Sequence, residues 1–332
     1  MDKRVIASLS AAVVSGAALC GVYSSVLAQE APRDFQGTTK AASSSLIASE
    51  AAIGNILPSR VISNAQYGSG AVGLRNFAGG SVQVSGIVRP VKAAYLYWAV
   101  LTNGAAPAAT KTITVQRTLP TASAAVAVAG TVVGTGPTPC WGGTSLVTVY
   151  RASVPLSVAN GAGTYSLKLQ PGASGSTAGG DPWGSKAVAP LMEGATLVIA
   201  GTGGATVSFF DVGLAGKTFF GSQSYALTLP VPVTRLIWMD NIGADGQVGS
   251  SRTATVAKET TIINGVRVAG PGSVANDSDW NGAAAGPLPQ LWDTTGHDVT
   301  AAAPPGTTSL AVSVDAGGDC VVPVANVVAS VN

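Results

Sequence analysis

Short runs of Val, Ile, Thr and Ala, separated by Gly-rich turns, follow one another through most of the 332-residue chain. Ser81 to Pro90 alternates apolar and polar residues, whereas Ala93 to Leu101 is an almost continuous aromatic and aliphatic run. Alternation is typical of a strand with one buried face, and a continuous apolar run is typical of a strand buried on both faces. With 42 glycines and only 10% charged residues, the pattern predicts an all-β protein, either an antiparallel β-sandwich or a jelly roll.

The first 28 residues have the pattern of a secretory signal. An uncharged apolar run from Val5 to Tyr23 follows a basic start, and small residues precede a cleavage point after Ala28. The alternative is a single-pass anchor, but Ser and Gly interrupt the run. We therefore predict export to the periplasm, the cell surface or the medium, with no transmembrane anchor in the mature chain.

The charge balance argues against two classes of partner. Removing the signal lowers the net charge from +2 to about +1, which predicts neither a nucleic acid nor an anionic membrane as partner.

Two parts of the chain align with a nearly constant offset. Trp98 in AAYLYW matches Trp238 in TRLIWM at an offset of 140, and Leu167 matches Leu310 at an offset of 143. A duplication with loop insertions produces such an offset, although chance similarity between Val-rich strands does so too. We predict two related halves packed together, organised as a signal peptide at 1–28, a linker or N-terminal arm at 29–60, a first β-sandwich half at 61–180 and a second half at 181–332.

Two further local features carry predictions. Gly194 to Ala200 and Ala205 to Val212 are strand-like runs around a Gly-rich turn and predict a hairpin. Cys140 and Cys320 remain after processing, and in an oxidising compartment they most simply form a disulfide. The bond would close a loop of about 180 residues and contribute about 4 to 5 kcal/mol in the chain-entropy model.

Asn276 to Thr300 is the stretch richest in chemical groups, with four acidic side chains, two tryptophans and the only histidine of the chain. Part of it fits the first half of a calcium loop, D-x-[DN]-x-[DN]-G, in which alternate side-chain oxygens converge on one ion. Leu288 stands where an EF-hand has glutamate, so the hypothesis is a shortened loop. The alternative is an Asp/Asn-rich turn that binds its own backbone. The candidate calcium ligands are Asp277, Asp279, Asn281 and Asp293.

A second acidic turn is predicted at Asp240 to Gly249, where Asp245-Gly246 is a hairpin signal. It is a possible source of one more oxygen for the same ion.

Three tryptophans are candidates for stacking against the rings of a saccharide: Trp183, Trp280 and Trp292. Trp183 lies on a Gly-rich segment outside the strand pattern, which favours its exposure. The alternative for all three is a place in the core, where large aromatic side chains are more often found.

The chain offers no convincing catalytic residue. His297 lies between Asp293 and Asp298, but no G-x-S-x-G elbow accompanies it. A pair of carboxylates for glycoside hydrolysis stays open, because such partners need not be close in sequence. Gly68 to Gly73 spells G-x-G-x-x-G, but the pattern lacks the preceding strand and following helix of a dinucleotide site.

The motifs AAYLYW, EGATLVIA and LWDTTGHDVT resemble those of a group of uncharacterised secreted or surface β-domains from prokaryotes. The resemblance covers Arg60 to Val331 and implies no activity. We expect a binding or structural, adhesive module, stabilised by calcium if the loop hypothesis holds, with polysaccharide or other surface proteins as partners. The alternative is an extracellular polysaccharide-active hydrolase or carbohydrate-binding protein. The sequence does not decide the question of enzyme activity, but it favours the module.

Overall fold

Strands make up most of the chain that the structure describes. The structure is a computed structural model, and it describes residues 54–138, 145–176, 188–215, 219–235, 237–244, 259–270, 280 and 292–331. The Val- and Thr-rich runs of the sequence become strands because their branched side chains pack well on a pleated surface. The short helical turns in the described residues are 3-10 turns at Ala108–Lys111, Val212–Ala215 and Thr300–Ala302.

The first group of strands ends in the turn at Gly203 and Gly204. Its members are β1 (Asn55–Ile56), β2 (Arg60–Gly73), β3 (Gly79–Val84), β4 (Val91–Asn103), β5 (Thr112–Leu119), β6 (Val126–Ala129), β7 (Thr131–Pro137), β8 (Ser145–Ser153), β9 (Gly163–Leu169) and β10 (Leu191–Thr202).

The second group follows the same turn. Its members are β11 (Ala205–Phe210), β12 (Phe219–Thr228), β13 (Ile237–Ala244), β14 (Thr260–Ile263), β15 (Val266–Ala269), β16 (Trp292–Asp298) and β17 (Ser309–Ser330). β17 is long enough to serve two sets of neighbours. Its first part pairs with β12 and β14, and its last part pairs with β11 and β13.

The strand order is the same in both groups. In the first group, β2-β10-β4-β8 and β3-β9-β5-β6 are hydrogen-bonded in these orders. In the second, the orders are β11-β17-β13-β16 and β12-β17-β14-β15. All of these pairs are antiparallel. Strands β2 to β6 correspond in order to β11 to β15, and β8 corresponds to β16. The two parts of β17 take the places of β9 and β10. β1 and β7 are additional edge strands.

The antiparallel sheets pack face to face and confirm the predicted β-sandwich class. The first core lies between β3, β5, β6 and β9 on one side and β2, β4, β8 and β10 on the other. Trp98 belongs to this core, with its ring stacked on Tyr150 at a centroid distance of 5.3 Å. The second core lies between β12, β14 and the first part of β17 and the sheet of β11 and β13.

A third core lies between β4, β8 and β10 of the first group and β11, β13, β16 and β17 of the second. β2 pairs with both β10 and β11, so the two groups form one continuous sheet. The odd-numbered side chains of β4, such as Tyr97, face away from the first core and pack with residues of β13, β16 and β17. Both faces of the central strands are therefore buried, which explains the continuous apolar run predicted from Ala93 to Leu101.

Two local predictions are wrong. β10 and β11 do not form a hairpin with each other, because β2 lies between them and pairs with both. Both strands run antiparallel to β2 and therefore in the same direction, whereas the two strands of a hairpin run in opposite directions. The predicted turn at Asp240 to Gly249 is wrong for its first part, because residues 240–244 lie within strand β13; residues 245–249 lie outside the described residues. No helix among the described residues is long and apolar enough to cross a membrane.

Candidate functional site

Trp292 is a core residue. Its side chain is completely buried, and its Nε1–H donates to Thr196 Oγ1 at 2.8 Å. The ring lies directly over Gly194, where a Cβ atom would come within 2.3 Å of Trp292 Cγ. The Thr196 hydroxyl is also 2.6 Å from that of Thr294. The ring is therefore enclosed between β10 and β16 and has no face open to a saccharide.

Trp280 is also buried, with 1% of its side chain exposed. It packs against Gly243 of β13, where a Cβ atom would lie 1.7 Å from Trp280 Cζ3. The hypothesis that Trp280 and Trp292 present stacking faces is therefore wrong for this structure, and the core alternative holds for both. The reason is close packing: each indole occupies the space left by a glycine on the neighbouring strand.

Several predicted site residues lie outside the described residues: Asp277, Asp279, Asn281, Trp183 and Cys140. Of Cys320, only the backbone is described, within β17. Asp293 is described and is fully buried on β16. The described residues contain no group of three or more His, Cys, Asp and Glu side chains placed to hold a metal ion. The calcium loop and the disulfide accordingly stay predictions.

Trp238 is the most exposed tryptophan that the structure describes, with 42% of its side chain accessible. It lies against Gly296 of β16, where a Cβ atom would come within 2.9 Å of Cζ2 and Nε1 of its indole. Its neighbours Ile237 and Met239 face the second core, so Trp238 points to the opposite side of β13. Trp98, its partner in the sequence alignment, is fully buried. The two tryptophans therefore do not occupy equivalent environments.

Asp240 lies two residues after Trp238 and shares its face of β13. One carboxylate oxygen, Oδ1, accepts from Trp238 Nε1–H at 3.0 Å, and the other, Oδ2, accepts from the Ser69 hydroxyl at 2.7 Å. Ser69 is on β2, so this contact joins the first group of strands to the second. We name Trp238, Asp240, Ser69 and Tyr67 the Trp238 cluster.

Two groups of the Trp238 cluster, Asp240 and Tyr67, have raised pKa values. Burial raises the pKa of Asp240 above its ordinary value of 3.8, while hydrogen bonds from Ser69, Tyr67 and Trp238 act in the opposite direction. Burial, followed by the negative charge of Asp240, raises the pKa of Tyr67 well above 10.0. The Val327 carbonyl oxygen, 3.2 Å from the Tyr67 hydroxyl, is a second acceptor for its single proton. Tyr67 therefore stays neutral and acts as a hydrogen-bond donor.

His297 does not share a face with Asp240. It pairs with Met239 in the β13–β16 register, and Asp240 pairs with Gly296. Because side chains alternate along a strand, His297 projects on the side of Met239. Its charge has only a minor influence on the Asp240 pKa. The structure thus brings His297 near Asp240 without placing the two side chains against a common substrate position.

Other buried carboxylates are held by arginines. Asp211 forms an ion pair with Arg151 and accepts from the Tyr97 hydroxyl at 3.1 Å. Arg151 also lies over the ring of Tyr95, 5.7 Å from its centroid. Glu193 forms a second buried ion pair with Arg75. These contacts connect separate strands, which is a structural use of the carboxylates.

The comparisons with known proteins give no family. No protein-family model matches the chain, and no curated protein is similar to it in sequence. The function therefore has to be argued from the described side chains.

Sequence reasoning missed the Trp238 cluster. The available signal was the Trp-x-Asp spacing at 238 and 240, which places the two side chains on one face of a strand. Ser69 and Tyr67 lie about 170 residues earlier, and only the packing of β2 against β13 and β17 brings them close.

Proposed function

We propose that this chain is an exported β-sandwich binding module that contacts a saccharide through Trp238. The observation that carries the proposal is an exposed indole fixed in position by Asp240 and by the close approach of Gly296. The negative face of an indole attracts the C–H groups of a sugar ring, and a preset ring loses little conformational freedom on binding.

Binding can be tested by titrating the mature protein with soluble oligosaccharides of several neutral backbones. We expect Trp238→Ala to weaken binding about three- to tenfold, and Trp238→Phe to retain most of the affinity because it keeps an aromatic face. Val266→Ala is the matched control, since Val266 is 40% exposed on β15. Equal affinity of wild type and Trp238→Ala for every ligand that binds would refute the proposal.

Export is part of the same proposal and rests on the signal pattern of residues 1–28. It is tested by N-terminal sequencing of the secreted protein. A mature chain that begins at Gln29 agrees with the proposal, and one that retains residues 1–28 contradicts it.

The two groups of strands are copies of one ancestral unit in this proposal. The matching strand orders support a duplication, as does the alignment of Leu167 on β9 with Leu310 on β17. The copies then meet in the turn at Gly203 and Gly204 rather than near residue 180, since β10 belongs with β2 and β4. The family suggested by AAYLYW, EGATLVIA and LWDTTGHDVT is a proposal of the same kind.

Calcium stabilisation is tested separately. If Asp277, Asp279 and Asn281 bind calcium, a chelator lowers the unfolding midpoint, and Asp279→Ala removes the difference between calcium and chelator. An unchanged midpoint under both conditions rejects the calcium loop. The disulfide between Cys140 and Cys320 is tested by thiol titration of the unfolded, unreduced protein, in which two free thiols contradict the bond.

A further inference from the structure

Two arginines converge on one asparagine at the end of the first β-sandwich core. Arg117 Nη1 donates to Asn160 Oδ1, and Arg89 Nη2 is 3.4 Å from the same oxygen. Arg117 lies on β5, and Arg89 lies just before β4. We name Arg89, Arg117 and Asn160 the arginine pair site.

The charge of Arg117 is buried without a carboxylate. Only 4% of Arg117 is exposed, and its remaining N–H groups donate to the carbonyls of Leu119 at 3.2 Å and Ala162 at 2.7 Å. All of its hydrogen-bond partners among the described residues are neutral oxygens. A buried charge is normally neutralised by an opposite charge. The site therefore carries excess positive potential.

This positive potential influences the pKa of the neighbouring Tyr165. Burial raises the pKa of Tyr165 above 10.0, and the charges of Arg117 and Arg89 act against that rise. Tyr165 donates to the Gly161 carbonyl, in the loop that holds Asn160.

Glycines let both guanidinium groups approach this loop. A Cβ atom on Gly161 would lie 2.9 Å from Arg89 Nε, and one on Gly163 would lie 2.9 Å from Arg117 Nε and 2.2 Å from the Leu119 carbonyl oxygen. Gly161 also has a φ of +154°. A larger residue at either position would displace a guanidinium group, so the present arrangement requires glycine at both.

Arg89 faces an open cleft of about 450 Å³. Pro90, Val91 and Leu156 form an apolar wall, and Asn160 lies beside Arg89. Leu156 is 43% exposed. Among the described residues, the only hydrogen bond of the Arg89 guanidinium goes to Asn160, so its other N–H groups are available to a ligand. A guanidinium fork matches the two oxygens of a carboxylate, and an apolar wall suits the face of a ring.

We propose that the arginine pair site binds a sugar acid, with the carboxylate on Arg89 and the sugar ring against Pro90 and Leu156. Arg117 reinforces the positive potential and fixes Asn160. This site is separate from the Trp238 cluster, and the proposal does not depend on saccharide binding at Trp238.

The test is a calorimetric or NMR titration of the mature Trp238→Ala variant with glucuronate, up to about 50 mM because a single sugar makes few contacts. We expect saturable binding of glucuronate, no saturable binding of glucose, and acetate binding at least tenfold weaker than glucuronate. Arg89→Gln weakens glucuronate binding about tenfold or more, because a charge-assisted bond is lost. Leu156→Ser weakens it several-fold.

Matched variants separate this site from general effects. Arg60 is exposed and donates to the Ser59 carbonyl, so Arg60→Gln removes the same charge elsewhere and leaves glucuronate affinity unchanged. The titrations are made in the Trp238→Ala background, so a sugar bound at Trp238 contributes to none of them and the two proposals fail separately. No saturation by glucuronate, equal binding of glucose, or equal losses in Arg60→Gln and Arg89→Gln would each overturn the sugar-acid site. Acetate that binds as tightly as glucuronate would overturn it as well.

Discussion

Asp240 is a carboxylate whose charge is costly in the folded protein. It is buried between β13 and β2, and its hydrogen bonds from Ser69 and Trp238 only partly offset the loss of water. A group with a raised pKa in the folded state makes stability depend on pH, because folded and unfolded chains then hold different numbers of protons.

Asp240→Asn is expected to change the pH dependence of stability. Below pH 3.8, Asp240 is protonated in both states, and between that pH and its raised pKa the folded protein keeps a proton that the unfolded chain has lost. The Asp240 contribution to the free energy of unfolding therefore falls as pH rises through this window. Asparagine does not titrate, so the variant lacks that fall.

The measurement is urea unfolding of wild type and Asp240→Asn at a series of pH values. The difference between the two free energies isolates Asp240 from the other carboxylates. A difference that is constant from pH 3 to 8, or that changes in the opposite direction, contradicts the raised pKa.

Asp211, unlike Asp240, has an opposite charge beside it, that of Arg151. Asp211→Asn leaves Arg151 without its counter-charge and should lower the free energy of unfolding by about 2 to 4 kcal/mol, since Arg151 keeps some solvent contact. Arg151→Gln alone should also destabilise. In the double variant the loss should be smaller than the sum of the two single losses. Additive losses would show that the pair contributes no coupling energy.

Glycines on the strands determine where a large side chain of a neighbouring element can pack closely. Gly194 on β10 is covered by the indole of Trp292 on β16, as Gly243 on β13 is covered by Trp280. Each glycine opens the space that a buried indole occupies.

Gly194→Ala is expected to destabilise the protein by about 3 kcal/mol. The added methyl group would lie 2.3 to 2.6 Å from Cγ, Cβ and Cδ2 of Trp292, which is held by neighbouring strands. Thermal unfolding measures the effect. The control is Gly204→Ala, where nothing lies within 4 Å of the new methyl group, and its midpoint should stay close to that of wild type. Equal midpoints for the two variants would contradict the packing argument.

The sequence predicts the strands better than their partners. Alternation and apolar runs locate β3 and β4, because those patterns depend on neighbouring residues alone. They do not reveal that β2 lies between β10 and β11, since pairing is a long-range property. The candidate site has the same limit: Trp238 and Asp240 share a strand, but their contact with Ser69 depends on the whole sheet. Burial of Trp280 and Trp292 is likewise decided by distant glycines.

The two groups of strands share hydrogen-bonded strands and one hydrophobic core across the whole described molecule. β2 bonds to strands of both groups, and the third core contains side chains from both. Neither group can open without exposing apolar surface of the other.

We therefore expect one cooperative unfolding transition. Calorimetric and van't Hoff enthalpies should agree, and near-UV and far-UV circular dichroism should give the same midpoint. Two resolved transitions would mean that the groups unfold independently, and that the third core contributes little to their association.

β17 follows all four of its partners in the sequence, and it completes both the β12–β14 side and the β11–β13 side. During synthesis, those partners emerge without the strand that lies between them. The second group therefore cannot close until β17 has left the ribosome. If the proposed export of this chain holds, this order delays stable folding and lengthens the time in which the chain can still pass unfolded through a translocation channel.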